Sequence, residues 1–277
     1  MKLGNNLDIY GSSTKELKNK KLFLFDMDGT IYEENNVFDG THQLLDYINK
    51  INGKYVFITN NSSKSVDDYI KKLHKMDIKC DSENFFTSSQ ATSMYLKKYH
   101  GEKNIYCQGT KSFVMELKKN GIRVTEEVSD DIDVVVVGFD TELTSEKIRK
   151  TCEVLQKNVL YVATNPDLRC PVNFGFIPDC GAICHMIEDA TNKKPIYIGK
   201  PEPVMVNSVR EKLGYSLPET CVVGDRLYTD VATGLNAGVT AICVLTGEAT
   251  VNEINNGSIK PTFTFNSVKD LYYALNK

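Results

Sequence analysis

The stretch Leu22-Phe23-Leu24-Phe25-Asp26-Met27-Asp28-Gly29-Thr30 constrains this chain more than any other. Its unbroken apolar run reads as a strand buried on both faces, the kind found in parallel sheets. In open α/β folds, ligands bind just beyond the carboxyl ends of such strands. Asp26 and Asp28 therefore stand where chemistry happens, and Gly29 lets the backbone turn sharply after them. Asp-Gly by itself also marks an ordinary hairpin turn. Against that reading, Asp26 directly follows the apolar run, where an unpaired carboxylate is costly unless it holds a metal or another partner.

At 277 residues the chain has room for a sizeable core and for one large or two modest domains. Its formal net charge of −3 is close to balance, so no nucleic acid polymer is expected as a partner. Residues 1–20 are polar and lack the apolar centre of a signal peptide, and no apolar run approaches the roughly 20 residues of a membrane helix. The expectation is a soluble, cytoplasmic protein with no membrane partner. Of the eight cysteines, Cys221 and Cys243 lie inside apolar runs and read as small buried hydrophobes. Cys180 and Cys184 are spaced as neighbours on a helix, and with no Cys-x-x-Cys pair neither zinc nor a disulfide framework is expected. The histidines His42, His74, His100 and His185 contain no i, i+4 pair of the kind that makes a metal helix.

Strand and helix alternate along the rest of the chain. The helix expected over 41–52 carries Leu44, Leu45 and Ile48 on one face and ends at Gly53. The next strand, 54–59, runs into the polar cluster Thr59-Asn60-Asn61-Ser62-Ser63, and Ser65 can cap the helix after it. Hydroxyl and amide groups before a helix N-terminus make an anion site. Strands are expected at 105–107, 134–138 and 160–164, with helices over 112–120 and 145–157. The segment 165–181 holds Pro166, Pro171 and Pro178 and reads as a loop that resists regular structure.

Further on, a short strand delivers Lys200 ahead of Pro201; position 194 is lysine and Pro201 is neither Ser nor Thr, so this is no P-loop. The stretch Cys221-Val222-Val223-Gly224-Asp225-Arg226-Leu227-Tyr228-Thr229-Asp230 then repeats the opening design: an apolar strand, an aspartate, and a second aspartate five residues later. Strands at 241–245 and 262–265 and an amphipathic helix over 268–275 complete the pattern. Asp26, Asp28 and Asp225, all at strand ends of one parallel sheet, can converge on a hard cation. Oxygen ligands without His or Cys favour Mg2+, which is commonly shared with a phosphate. Thr59, Asn60 and Lys200 add hydrogen-bond donors and positive charge. Together these parts suit phosphoryl transfer, with a carboxylate able to attack phosphorus.

Taken together, four stretches resemble the motifs of the haloacid dehalogenase (HAD) superfamily of phosphatases: Asp26-x-Asp28-Gly29-Thr30, Thr59-Asn60-Asn61-Ser62, Lys200-Pro201, and Gly224-Asp225-Arg226-x-x-Thr229-Asp230. Ile58 to Ser65, Ala163 to Asp167 and Gly224 to Asp230 narrow the resemblance to the NagD-like, para-nitrophenylphosphatase branch, over nearly the whole chain. The resemblance implies Asp26 as nucleophile and Asp28 as the acid that protonates the leaving oxygen and then activates water. It implies Thr59, Asn60, Asn61 and Lys200 as phosphate-binding residues, and a Mg2+ site from Asp26, Asp225 and the backbone carbonyl of Asp28. Asp230 would sit one layer behind, orienting waters or Lys200. The implied fold is α/β: a Rossmann-like catalytic core with a parallel sheet from residues 1–82 and 194–277, and a smaller inserted α/β cap over 83–193 that sets substrate specificity.

The expected activity is Mg2+-dependent hydrolysis of small-molecule phosphomonoesters through an aspartyl phosphate. Sugar phosphates, nucleotides, phosphoglycolate, pyridoxal phosphate and para-nitrophenyl phosphate are candidate substrates. Two alternatives stand beside it: a non-catalytic protein that binds a phospho-ligand, and a phosphotransferase or mutase of the same superfamily. A homodimer formed through the cap is the assembly to test.

Overall fold

The computed structural model of the protein describes residues 7–172 and 174–276. Residues 1–6 of the polar N-terminal stretch and Asn173 of the expected loop lie outside the described residues. The chain divides into two compact units: one takes the chain up to Ile58, Ile70–Phe86 and the chain from Lys200 onward, and the other Thr59–Tyr69 and Thr87–Gly199.

The first unit is built on a six-stranded sheet in the order Phe263–Phe265, Thr240–Val244, Thr220–Gly224, Leu22–Phe25, Lys54–Thr59, Phe85–Thr87. Leu22–Phe25 sits inside the sheet and pairs in parallel on both sides, with Phe25 opposite Val223 and opposite Phe57. All four of its side chains are fully buried, which is what an unbroken apolar strand requires. The strand after it in the chain lies on one side and Thr220–Gly224 on the other, so the strand order reverses there. Such a reversal leaves a crevice at the carboxyl ends of the two diverging strands. The helix Thr41–Lys50 buries Leu44, Leu45 and Ile48 as its periodicity predicts, and Val268–Leu275 closes the chain.

The second unit holds a five-stranded parallel sheet, in the order Ile196–Tyr197, Leu160–Ala163, Val134–Val137, Ile105–Gln108, Val124–Thr125. Val135, Val137, Phe139, Val154, Leu155, Ile183 and Ile187 form its core. The helix Ser88–His100 was not read from the sequence, although Thr87 and Gln90 form a reciprocal cap at its start. The segment 165–181 is not the irregular loop expected. Arg169–Val172 and Gly175–Pro178 pair as an antiparallel ribbon, and the helix Cys180–Thr191 begins within the segment. Prolines are tolerated there because both strands of a two-stranded ribbon are edges, with one row of backbone groups left unpaired in any case.

The division also differs from the expected 83–193 insert, since the second unit runs on to Gly199 and takes in residues 59–69. The hydrogen bonds of the polar cluster explain that. Ser62 Oγ meets Thr164 Oγ1 at 2.9 Å and accepts from Phe139 N at 2.8 Å. Ser88 Oγ donates to Asn60 O at 2.7 Å and Thr110 Oγ1 to Ser63 O at 3.1 Å. Among the described residues, no helix is long and apolar enough to cross a membrane.

The buried opening strand should dominate stability. Leu24→Ala is expected to cost about 2–5 kcal/mol in urea unfolding, the range for truncating a buried leucine. A loss below about 1 kcal/mol would contradict the packing described.

Candidate active site

Sheet register puts two of the expected aspartates side by side. Asp26 directly follows Leu22–Phe25 and Asp225 directly follows Thr220–Gly224, and the pairing of those strands continues as Asp26 N donates to Val223 O at 2.8 Å. Neither residue's backbone can move away without breaking a central pair of strands.

A third carboxylate joins them from a helical turn of unusual width. After Asp225 the chain makes a π-helical turn over Leu227–Val231, with Val231 N donating to Arg226 O at 3.1 Å. Turns of this kind recur at functional sites because the extra residue re-aims a side chain. Here it accompanies a fully buried Asp230. Among the described residues, Asp26, Asp225 and Asp230 form a group whose ligand atoms lie within 4.8 Å of one another.

Lys200 ties this group together. Its ammonium, almost fully buried, donates to Asp26 Oδ1 at 2.5 Å, Asp230 Oδ1 at 2.6 Å and the Ile58 carbonyl at 3.2 Å. Burial alone would lower the Lys200 pKa, but the charges of Asp230 and Asp26 outweigh it and hold the ammonium protonated. The carboxylates bear the opposite imbalance. Burial pushes Asp26 well above the usual range, against the pull of Lys200, and the charges of Asp230 and Asp225 push it further. Burial, then the charge of Asp230, raises Asp225 to about 6, opposed by the Glu248 N–H, Arg226 and Thr30.

Three carboxylates against one ammonium leave two negative charges uncompensated within the group. A divalent cation has the charge to balance it, and an all-oxygen donor set is the chemistry of Mg2+. The residues therefore fit the metal. Asp230 already accepts Lys200 on Oδ1 and the Arg226 N–H on Oδ2, at 2.6 and 3.0 Å, which suits a residue that holds Lys200 in place.

Asp225 is cradled by backbone. Glu248 N donates to its Oδ2 at 2.8 Å and Thr30 Oγ1 to its Oδ1 at 3.2 Å. Two glycines make this approach feasible: a Cβ on Gly29 would lie 2.6 Å from Asp225 Oδ2, and one on Gly247 only 2.0 Å from it. Gly29 also has φ +84°, so a side chain there would be strained as well as crowded. Gly247 and Glu248 were not singled out from the sequence; they follow a strand end by three or four residues, a weak signal without the fold.

Asp28 stands apart from the three-carboxylate group. Tyr32 Oη donates to its Oδ2 at 3.1 Å, and Lys72 Nζ lies 3.4 Å from its Oδ1. Thr59, Asn60 and Asn61 belong to the second unit; Thr59 ends the strand Lys54–Thr59 and the two asparagines follow it. Asn61 N donates to Thr59 Oγ1, and Asn61 Oδ1 accepts from Ser63, so Asn61 shapes the turn. Asn60 Nδ2 donates to the buried Asp167 at 2.6 Å, an acceptor it shares with Asn165. Asp26, Lys200, Asp225 and Asp230 are thus gathered at one point, while Asn60 and Asn61 are held by Asp167, Ser63 and Ser88 of the second unit.

Comparison with known proteins shows the family. Residues 23–123 match the family described as haloacid dehalogenase-like hydrolase, and residues 197–271 match one described as HAD-hydrolase-like. The acid sugar phosphatase of Staphylococcus saprophyticus is 32% identical over 94% of this chain and 100% of its own length. Among solved structures, the 4-nitrophenylphosphatase of Thermotoga maritima superposes with a TM-score of 0.89 at 38% identity, covering 94% of this chain and 99% of that one. A glycerol phosphate phosphatase from Mycobacterium tuberculosis, solved in complex with magnesium, superposes with a TM-score of 0.86 at 25% identity, covering 92% of this chain and 77% of its own.

The cradle can be tested directly. Gly247→Ala should cut phosphatase activity at least roughly tenfold, because its methyl displaces Asp225, while lowering stability by about 1–3 kcal/mol as overpacking does. Unchanged kcat/KM in this variant would remove Gly247 from the site.

Proposed function

The chain belongs to the haloacid dehalogenase-like hydrolases and is a phosphomonoester hydrolase of their NagD-like, para-nitrophenylphosphatase branch; from that premise we propose that it uses Mg2+ and an aspartyl-phosphate intermediate. The observation that carries this reading is the buried group Asp26, Lys200, Asp225 and Asp230 at the strand-order reversal. Small phosphomonoesters are the substrate class. The named relatives act on sugar, nitrophenyl and glycerol phosphates, whose shared part is the phosphoryl group.

Asp26 is the nucleophile. Its oxygen attacks phosphorus, the bond from phosphorus to the ester oxygen breaks, and the electron pair leaves with that oxygen, which takes a proton from Asp28. The alcohol departs, leaving an aspartyl phosphate and the Asp28 carboxylate. Asp28 then accepts a proton from water as the water oxygen attacks phosphorus. The bond to Asp26 breaks, inorganic phosphate leaves, and both aspartates regain their starting forms.

Lys200 offsets charge on Asp26 and on the phosphoryl oxygens, and Asp230 keeps Lys200 aimed. Thr59, Asn60 and Asn61 are assigned to phosphate binding on their residue types and position after a core strand. Asp26, Asp225 and the backbone carbonyl of Asp28 would hold Mg2+, which supplies positive charge to the phosphoryl group when bound. Discrimination between alcohols falls to the inserted unit.

Asp26→Asn should lower turnover of para-nitrophenyl phosphate by at least roughly a hundredfold while the protein stays folded, as a cooperative melting transition shows. Retention of a tenth of wild-type activity, with reversion of the asparagine excluded by mass spectrometry, would remove Asp26 as nucleophile.

Asp225 makes the metal pH-sensitive. Its carboxyl is raised to about 6, above the unfolded value, so the folded protein without metal binds this proton more tightly than the unfolded chain does. The ionised form therefore costs stability above about pH 6, and that cost is relieved as pH falls through this value. Mg2+ needs the ionised carboxylate and competes with the proton. The gain in melting temperature on adding Mg2+ should be larger at about pH 7.5 than at about pH 5. Equal gains at both would separate Asp225 from the metal.

A further inference from the structure

Asp28 is the one expected catalytic group whose carboxylate lies outside the central cluster, and its surroundings form a small structure of their own. We infer that Tyr32 and Lys72 are positioning residues that fix the direction of the Asp28 carboxyl group for proton transfer to the leaving alcohol. This rests on the assignment of Asp28 as proton donor made above.

The two residues hold different oxygens of the same carboxyl group. Tyr32 Oη donates to Oδ2 at 3.1 Å and Lys72 Nζ lies 3.4 Å from Oδ1. They also hold each other, since the Lys72 ammonium sits 3.8 Å from the centre of the Tyr32 ring, within reach of a cation–π contact. Tyr32 is fully buried, so its ring is a fixed platform. Its backbone is fixed too: Gly29 N donates to Tyr32 O at 2.8 Å, Ile31 N to Met27 O at 2.8 Å, and Asp28 and Tyr32 form a bridging pair. Lys72 comes from the helix Val66–His74, next to the fully buried Leu73.

Asp28 needs such a brace. Its side chain is 39% exposed, and a carboxyl group on a turn has several rotamers open to it. A proton donor is effective only in one direction, and a displacement of about 1 Å can cost on the order of a hundredfold in rate. Holding both oxygens from rigid elements removes that freedom before substrate arrives. An ordinary surface ion pair would need neither the buried ring nor the second hydrogen bond.

Leaving-group dependence separates positioning from mere structure. Para-nitrophenyl and phenyl phosphate have similar shapes, but nitrophenolate departs readily without a proton whereas phenolate is far more basic. The measurement is kcat/KM, which covers the steps through alcohol release. Lys72→Met should lower it at least about tenfold for phenyl phosphate and less than about threefold for para-nitrophenyl phosphate. Tyr32→Phe should shift the ratio in the same sense, and Lys72→Arg should restore most of the loss, with melting temperature recorded for each. Equal losses on both substrates, or no loss on either, overturn the inference. Lys72 is partly exposed, so its variants carry the test if Tyr32→Phe disturbs packing. Asp28→Asn decides which layer has failed. If it shifts the ratio while Lys72→Met and Tyr32→Phe do not, only the positioning role falls. If it leaves the ratio unchanged, the proton-donor assignment falls and this inference falls with it.

Discussion

Crowding of like charge is the constraint on which the site depends. Asp26, Asp225 and Asp230 are brought within a few ångströms of one another, with Asp225 and Asp230 buried and Asp26 only partly exposed. Separated, each would be an expensive buried ion. The sheet holds the first two in place by register, the π-helical turn accompanies the third, and Lys200 reduces the repulsion without cancelling it. Burial, and after it the remaining negative charge, raises Asp225 and Asp26. That charge is also what would draw a divalent ion to this point, and only with such an ion in place would a phosphate dianion be attracted there. The same imbalance that weakens the resting fold would be the source of its affinity for such an ion.

Much of this was legible in the sequence because parallel strands announce themselves. Leu22–Phe25, Thr220–Gly224 and Leu160–Ala163 are short apolar runs with no polar alternation, and a residue placed just past such a run has few places to go. Asp26 and Asp225 were readable for that reason. Lys200 was not readable in isolation; only its order among the other motifs distinguished it from a solvated surface lysine.

The residues that escaped notice act through tertiary proximity. Gly247 and Glu248 reach Asp225, and Tyr32 reaches Asp28, through turns, while Lys72 reaches Asp28 from the helix Val66–His74; no periodicity encodes these contacts. The segment 165–181 failed for another reason. Proline content argues against central strands, but a two-stranded ribbon exposes an edge on each side and tolerates it. The Thr87–Gln90 cap, by contrast, was a local signal in plain view at the start of Ser88–His100.

The central strand has a consequence for how the protein comes into being. Leu22–Phe25 leaves the ribosome long before Thr220–Gly224, one of its two parallel partners. The Thr30–Asp225 hydrogen bond spans 195 positions of sequence. Long-range parallel pairing is slow because loop closure must precede any gain from contact. Until that partner emerges, the nascent chain carries an apolar segment with a bare edge and an incomplete set of carboxylates. The carboxylate group is therefore complete only once Thr220–Gly224 and the aspartates after it have been made. For the same reason, the early segment is where an unfinished or truncated chain is most exposed to aggregation.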